Sequence, residues 1–270
     1  MPPVKTHAFA TFVTQLTKYR ESNGLSQAQL ANRLGYSPSL VSYVVSMTKM
    51  PTLAFAEKCD ELFGLQGTFA ALHDLASRET LPSYFAPVAE FEGQAVRVHE
   101  YELRAVPGLL QTEDYARAVI RAGQPRQTEA ELERKVTARM ERQSILTGDS
   151  PPHYWTVLHE GVLRQNVGGP AVMGAQLDKI IEAAGSPHLI VQVLPFAATV
   201  HPGTDGPVTI FDFDDGKSSA YSECKGGGRI VEAHEEIAEL VTSLSLIRVA
   251  ALPPDESRTL LRQIRQEINR

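Results

Sequence analysis

The segment from Gly24 to Pro51, GLSQAQLANRLGYSPSLVSYVVSMTKMP, constrains the fold of this chain more than any other stretch. Ser26 and Ser37 each precede a short run with apolar residues at helical spacing, and serine is a preferred residue for capping a helix N-terminus. Gly35 lies between the two runs, where a residue in the left-handed conformation can end a helix. The pattern therefore predicts two short helices joined by a tight turn.

Four positions within this segment carry the residue types that a helix-turn-helix needs. With Gln27 counted as the first position, the fifth must be small because the two helices cross there, and the ninth must tolerate the turn. The fifteenth and the eighteenth must be apolar because they bury the back of the second helix. These four positions hold Ala31, Gly35, Val41 and Val44. Two helices with a short turn are also common as plain core, but the joint match favours a helix-turn-helix.

Further helices are expected on both sides of this segment. Before it, apolar residues recur at helical spacing and predict a helix that ends at Gly24; they are Phe9, Phe12, Val13, Leu16 and Tyr19. After it, Pro51 and Thr52 are expected to begin another helix, which ends near Gly64. The N-terminal part is therefore predicted to be an all-α domain.

Residues 9–65 resemble the Xre-type helix-turn-helix family, which is related to the phage lambda repressor. In that family the start of the second helix touches phosphate and the third helix enters the major groove, so the resemblance implies double-stranded DNA as a partner. Carried over by position, it places Gln27 on the phosphate backbone and Lys49 in a loop near phosphate. It directs four residues toward the bases: Ser37, Ser39, Ser42 and Tyr43.

The chain departs from the family pattern at two positions. Members usually have Ile-Ser-x-Ile-Glu-x-Gly where this chain has VSYVVSM, so that Val45 replaces the Glu and Met47 replaces the Gly. The Glu normally pairs with an arginine late in the first helix, which Arg20 matches. Arg20 is therefore expected to be exposed, paired elsewhere or directed at DNA phosphate. Met47 suggests that the chain leaves the third helix differently, by extending it.

The charge of the chain changes sign along its length. Residues 1–58 contain six Lys or Arg and two Glu, which gives a charge near +4. Because the formal net charge of the whole chain is -6, the remainder is near -10. A basic segment attracts phosphate. The charge distribution therefore predicts that nucleic acid binds at the N-terminal part alone.

The remainder of the chain mixes helical and strand patterns, and Pro82 marks the predicted boundary between a domain of residues 1–80 and one of residues 81–270. Strands are predicted at 99–105, 153–158, 188–195, 207–213 and 218–224. Helices are predicted from Thr112, from the capping-box residues Thr128 and Glu131, and at 170–185, 233–250 and 255–268. This mixture predicts an α+β domain with one small sheet.

The C-terminal part also resembles a family. The segments VPGLLQTEDYARAVI, RMERQSIL, LHEGVLRQNVGG, QLDKIIEAA, VQVLPF and AYSEC occur in the order seen in the large C-terminal domain of actinobacterial WhiJ-like regulators. The match covers residues 85–268. In that family the domain has no established catalytic role, and members are often encoded beside a small partner protein. The resemblance therefore implies that the domain senses a protein or a small-molecule effector.

The histidine, glycine and cysteine patterns do not match catalytic or metal sites. HEGVL at His159 and HEEIA at His234 lack the second histidine of the zinc-protease motif. No Lys-Ser/Thr follows the glycines at 226–228, which we interpret as a flexible loop. Cys59 and Cys224 have no metal-ligand spacing, which suits a reducing cytoplasm. We therefore expect no catalytic residue, no metal and no cofactor.

The sequence supports two functional hypotheses. The leading one is a cytoplasmic, sequence-specific transcriptional regulator, associated with the nucleoid when bound to DNA and controlled through its C-terminal domain by a partner protein or effector. The alternative is an antitoxin-like interaction protein that binds DNA weakly and captures a small partner. A homodimer is expected, since two N-terminal domains about 34 Å apart can bind a palindrome. No segment approaches the roughly 20 apolar residues of a membrane span, and an enzyme is not expected.

Overall fold

The structure is a computed structural model that describes residues 7–80, 86–198, 201–224 and 227–268. The chain divides into two compact units. The first consists of Met1–Ala86 together with Ile120–Glu141, and the second consists of Pro87–Val119 together with Arg142–Arg270. The boundary between residues 80 and 81 stays a prediction.

The N-terminal part is helical, as the apolar spacing predicts. Its helices are α1 (His7–Ser22), α2 (Gln27–Leu34), α3 (Pro38–Val45), α4 (Leu53–Phe63) and α5 (Thr68–Thr80). The predicted caps Ser26 and Ser37 are confirmed, because each side chain accepts a backbone hydrogen bond at the start of α2 or α3. The side chain of Thr52 does the same at the start of α4. Gly35 and Gly64 adopt the left-handed conformation that ends α2 and α4.

The helices of the N-terminal part share one apolar core. Ala31, Val41 and Val44 are fully buried in it, as the helix-turn-helix pattern requires. Phe12 and Phe69 join α1 to α5 through ring centroids 5.0 Å apart in an edge-to-face arrangement, which is favourable for aromatic pairs. One side of α3 therefore packs in this core, and the opposite side is exposed.

Within the described ranges, the second part of the chain adds seven α-helices and a mixed sheet, so the predicted fold class is confirmed. The strands are β1 (Arg97–Glu102), β2 (His153–His159), β3 (Leu189–Leu194), β4 (Val208–Asp212), β5 (Ser218–Cys224) and β6 (Gly227–Val231). Their order in the sheet is β3-β2-β1-β4-β5-β6. The strands β1, β2 and β3 pair in parallel, whereas β1, β4, β5 and β6 pair antiparallel.

The remaining helices connect and cover the strands. They are α6 (Ala86–Gln94), α7 (Glu113–Gly123), α8 (Glu129–Arg142), α9 (Glu160–Arg164), α10 (Pro170–Ala183), α11 (His234–Ala250) and α12 (Pro254–Glu267). The predicted capping box at the start of α8 is confirmed, because Thr128 N–H donates to Glu131 at 2.7 Å and Glu131 N–H donates to Thr128 at 3.3 Å. One side of α11 packs on the sheet through Ile237, Leu244 and Ile247.

The loop interpretation of the glycines at 226–228 is wrong for Gly227 and Gly228, which begin β6 and pair with β5. A Cβ atom at Gly228 would overlap the phenol ring of Tyr221 in β5. Glycine therefore lets the tyrosine lie across the neighbouring strand. The first glycine of the run lies outside the described residues.

No helix in the described ranges is by itself long and apolar enough to cross a membrane. The helices α11 and α12 meet the length and composition criteria only as a pair, with a bend of 66° between them.

Candidate nucleic-acid interface

One face of α3, continued by Ser46 directly after the helix, points away from the core and forms the candidate interface. Its residues are spaced three, four and seven positions from the first, which places them on one side of a helix. All four are exposed, and Tyr43 has 53% of its surface accessible. They are Ser39, Ser42, Tyr43 and Ser46. We call this set the α3 face.

Ser37 holds the start of α3. Its hydroxyl accepts a hydrogen bond from the backbone N–H of Leu40 at 3.3 Å and lies 3.1 Å from the hydroxyl of Ser39. The first role of Ser37 is therefore to cap the helix, and the contact fixes the position of Ser39. A hydroxyl that caps still has hydrogen-bonding capacity toward a second partner.

The first backbone amides of α2 have no acceptor within their own helix, as at any helix N-terminus. Ser26 and Gln29 form a reciprocal capping box, with Ser26 N–H donating to the Gln29 side chain at 2.8 Å and Gln29 N–H donating back at 3.2 Å. Gln27 occupies the first helical position and is exposed. The first turn contains no acidic residue, so the partial positive charge of the helix N-terminus is not neutralised there. Such an end is suited to a phosphate group.

Two lysines flank the helix-turn-helix in different ways. Lys49 follows α3 and is exposed. Lys58, in α4, donates from Nζ to the carbonyl oxygen of Leu34 at 3.3 Å and lies 4.8 Å from the ring centroid of Tyr36. Lys58 therefore caps the C-terminal end of α2, whereas Lys49 has its charge directed to solvent.

Arg20 is paired within the chain, which is one of the three outcomes expected for it. Its Nη1 donates to the carbonyl oxygen of Leu25 at 2.7 Å, and its Nη2 pairs with Glu21 at 2.8 Å. The Arg20 side chain is 17% exposed. Val45, which replaces the usual partner, packs against the apolar core. Arg20 therefore stabilises the loop between α1 and α2. A contact of Arg20 with DNA stays a prediction.

Met47 does not extend α3, so that expectation is wrong. The helix ends at Val45, and Met47 has φ of +59°, the only positive φ outside glycine in the described ranges. A residue with a Cβ atom is strained there by about 1–2 kcal/mol. The side chain of Met47 is buried in the core, and burying a methionine contributes roughly 1.5–3 kcal/mol. Burial of the side chain therefore offsets the backbone strain at Met47.

Sequence reasoning missed Ser46 as a member of the α3 face. Its hydroxyl contacts the carbonyl oxygen of Tyr43 at 3.2 Å and the hydroxyl of Thr48 at 2.9 Å. The signal was present in the sequence, because Ser46 lies seven residues after Ser39.

The described ranges contain no group of three or more His, Cys, Asp or Glu side chains placed to hold a metal ion. Cys59 is fully buried, and burial together with neighbouring Asp60 raises the pKa of its thiol to about 12. The thiol is therefore protonated and unreactive at neutral pH.

The arrangement of α2, α3 and the exposed α3 face defines a helix-turn-helix domain, which suggests DNA binding. Residues 11–72 match a family model described as a helix-turn-helix domain. Residues 85–263 match the model of a family described as a domain of unknown function, DUF5753. This second match covers more than half of the chain, and the chain belongs to the DUF5753 family. Neither matched family is described as an enzyme.

The comparisons with individual proteins gave no match. No curated protein and no solved structure is significantly similar to the chain.

Proposed function

We propose that this chain is a sequence-specific DNA-binding transcriptional regulator that is controlled through its C-terminal domain by a partner protein or a small-molecule effector. The observation that carries the proposal is the α3 face, which is the exposed side of the second helix of a helix-turn-helix. In proteins with this motif that helix lies in the major groove. Residues 81–270 form the controlling domain in this proposal, and the protein acts in the cytoplasm on nucleoid DNA.

The charge distribution also supports the proposal that the N-terminal end of the chain binds DNA. Residues 1–58 are near +4, against a chain total of -6. The start of α2 supplies Gln27 and free amides to one phosphate, and Lys49 supplies a cation to another. Both contacts are independent of sequence, since phosphates carry no base information. They would fix the register in which α3 enters the groove.

The side chains of the α3 face determine which base sequences such a protein can distinguish. A serine hydroxyl both donates and accepts, so Ser39 and Ser42 can contact several kinds of base edge. The ring of Tyr43 can pack on a thymine methyl group. The face carries none of the Arg, Lys, Asn and Gln side chains that make bidentate base contacts. One such domain discriminates weakly, so the proposal includes a homodimer on a palindromic site.

Selection from random duplex DNA tests this function. The full chain is expected to enrich a palindrome with half-sites about 34 Å apart, and fluorescence anisotropy then measures affinity for the enriched duplex and a scrambled one. Tyr43→Ala is expected to reduce the ratio of the two affinities. Phe196→Ala, at another aromatic residue that is more than half exposed, is the matched control and should leave the ratio unchanged. Absence of any sequence preference at moderate salt overturns the proposal.

The lack of Arg and Asn on the α3 face, together with Val45 and Met47, favours a second candidate function. An antitoxin-like interaction protein would retain the helix-turn-helix, bind DNA weakly, and capture a small protein encoded nearby. Purification of the tagged chain from its host, followed by anisotropy with and without the co-purified protein, separates the two. Stoichiometric capture of a small protein by a chain without sequence preference supports this candidate, and a selective chain that captures nothing excludes it.

A further inference from the structure

The connection from β3 to β4 crosses the carboxyl ends of two other strands. In the order β3-β2-β1-β4, the chain leaves β3 and must pass β2 and β1 before it pairs on the far side of β1. The strand order therefore reverses at β1, because β2 follows on one side of it and β4 is added on the other. Sheets with parallel strands bind ligands outside the carboxyl ends of the strands, at the point where the order reverses. The carboxyl ends of β1 and β2 are therefore where this sheet can hold a ligand.

Two histidines lie at these carboxyl ends. His159 is the last residue of β2, and Val157, two residues before it, pairs with Tyr101 of β1. Alternate residues of a strand point to the same face, so His159 lies on the face that carries Val157 and Tyr101. His201 belongs to the crossing connection and packs edge-to-face on Tyr101, with ring centroids 6.5 Å apart. Both imidazoles therefore lie on one face, at the ends of neighbouring strands.

Gly203 fixes the position of His201 against β1. A Cβ atom at Gly203 would lie 2.7 Å from the phenol ring of Tyr101, so this close approach of the backbone needs glycine. The backbone N–H of Gly203 also donates to Nδ1 of His201 at 3.1 Å. The His201 imidazole is therefore held by the same residue that packs on β1.

Both imidazoles are oriented by a backbone N–H group two residues further along the chain. Nδ1 of His159 accepts from Gly161, and Nδ1 of His201 accepts from Gly203, each at 3.1 Å. A ring nitrogen that accepts carries no proton, so each neutral ring has its hydrogen on Nε2. The same bonds argue against a metal ion as the ligand, because ligation through Nε2 would place the ring hydrogen on Nδ1, facing the N–H group.

The two Nε2 atoms are available to a ligand. Within the described residues neither atom makes a hydrogen bond, and neither is shut off from solvent. Both rings are half-buried. Burial lowers the pKa of His159, and the charge of His201 lowers it further, as expected for two rings that lie close together. The site therefore presents two N–H donors from neutral rings.

The nearest carboxylate in the sequence does not compete for these donors. Glu160 directly follows His159 and is buried. Its Oε1 accepts from Arg164 at 2.6 Å, and its Oε2 accepts from a backbone N–H at 2.8 Å. The charge of Glu160 is therefore balanced within the chain, and the acceptor for the two imidazoles must come from outside it.

We propose that His159 and His201 bind an oxyanion, the carboxylate or phosphate group of a small molecule, through their two Nε2–H donors. Two donors on one face are complementary to a group with several acceptor oxygens, and a hydrogen bond to an ionised acceptor is stronger than one to a neutral acceptor. Neither ring has to gain or lose a proton on binding. The site rests on the proposed function for its purpose, because it assigns a position and a chemical class to the effector of that regulator.

Long-range 1H–15N NMR spectra of the histidine rings of the full chain test the site at pH 7.5. Before any addition, His159 and His201 are expected to show the form protonated on Nε2. Inorganic phosphate and acetate are then added in separate titrations at constant ionic strength. At least one of them is expected to shift the Nε2 signals of both histidines together, and the probe that does so identifies the oxyanion as phosphate or carboxylate. His153, exposed at the amino end of β2, should not shift.

Substitution by asparagine separates ligand binding from the local hydrogen bond. Asparagine keeps an acceptor close to the position of Nδ1, so the N–H group two residues on is still bonded, but it has no donor in place of Nε2–H. His201→Asn is therefore expected to raise the Kd of the active probe about tenfold or more, with an unchanged urea midpoint. His153→Asn is the matched control and should leave the Kd unchanged. His159→Asn repeats the test if His201→Asn fails to fold.

The outcomes separate this inference from the proposed function. The site is refuted if neither probe shifts the two Nε2 signals, or if His201→Asn and the wild-type chain bind the probe equally. An equal shift of His153 would indicate an adventitious ion only and also refutes the site. A chain that selects a palindrome without binding either probe leaves the proposed function standing alone. Binding that depends on His201 in a chain without sequence preference leaves the oxyanion site standing alone.

Discussion

The carboxylate of Asp60 in α4 accepts a hydrogen bond of 2.8 Å from the backbone N–H of Phe69, near the start of α5. Its other oxygen accepts one of 2.9 Å from the N–H of Ala70. A buried side chain on one helix therefore satisfies two of the amides that the next helix leaves unpaired at its N-terminus. Asp60 therefore caps the N-terminus of α5 from a neighbouring helix, whereas Ser26, Ser37 and Thr52 each cap the helix that directly follows them.

Asp60→Ala is expected to destabilise the N-terminal helices by about 1–3 kcal/mol, because one buried and one partly buried amide lose their acceptor. Hydrogen exchange followed by mass spectrometry on peptides from α1 and α4 measures the loss. Glu61→Ala is the control, since its side chain is exposed on the same helix. Equal protection in the two variants would show that the Asp60 contact does not stabilise α5.

Met47 is expected to show an unusual order of substitution costs. Met47→Ala removes the buried side chain and keeps the left-handed strain, at a cost of about 2–5 kcal/mol. Met47→Gly removes the side chain and also relieves the strain, by about 1 kcal/mol or more. Glycine should therefore be less destabilising than alanine, as measured by exchange protection of α3 and α4. A lower stability of Met47→Gly than of Met47→Ala would contradict the left-handed conformation.

The N-terminal helices were predictable because their signals are local. A serine cap, a glycine stop and apolar spacing act within one or two turns, so Ser26, Ser37 and Gly35 identify α2 and α3 from sequence. The predicted extension of α3 at Met47 was wrong, because the conformation of this residue depends on the burial of its side chain by residues distant in the sequence. The same limit applies to Arg20, whose acceptor is a carbonyl oxygen in the following loop.

The sheet was predictable in its strands but not in their order. Apolar segments such as HYWTVL and PVTIFDF identify β2 and β4, while the pairing of β1 with both of them depends on contacts between residues more than 50 positions apart. The strand β6 has no alternating apolar pattern, because Gly227 and Gly228 begin it. Gly228 is required by Tyr221 on the neighbouring strand, because a Cβ atom there would overlap the phenol ring, and no local pattern in the sequence shows this contact.

Glu100 is expected to make stability fall as pH rises toward 8. It is hydrogen-bonded to Tyr154, and burial raises its pKa from 4.5 to about 8 despite that bond. The folded state then keeps a proton that the unfolded state releases near pH 4.5, so unfolding becomes easier as pH rises through this window. Each unit of difference in pKa corresponds to about 1.4 kcal/mol. Burial also raises the pKa of Glu102, with the same sign.

Glu100→Gln should reduce this slope and raise the urea midpoint at pH 8. The range from pH 6.5 to 8 reduces the contribution of His99 and His159, because burial lowers the pKa of both below 6.5 in the folded state. Trp155 is the single tryptophan and reports unfolding of the sheet. Glu235→Gln, at an exposed position of α11, is the control. An unchanged slope in Glu100→Gln would assign the pH dependence to another group.

Gln27 and Lys49 are expected to contribute to DNA affinity in ways that salt distinguishes. Gln27→Ala removes a hydrogen bond from an uncharged donor to phosphate and should weaken binding to every duplex about tenfold or more, with the salt dependence unchanged. Lys49→Gln removes a cation, so the slope of log affinity against log salt should fall by about one. Lys217→Gln, at an exposed lysine paired with Asp215, should change neither quantity. If Gln27→Ala altered preference among sequences, α2 would lie against the bases, and the orientation inferred from the α3 face would be wrong.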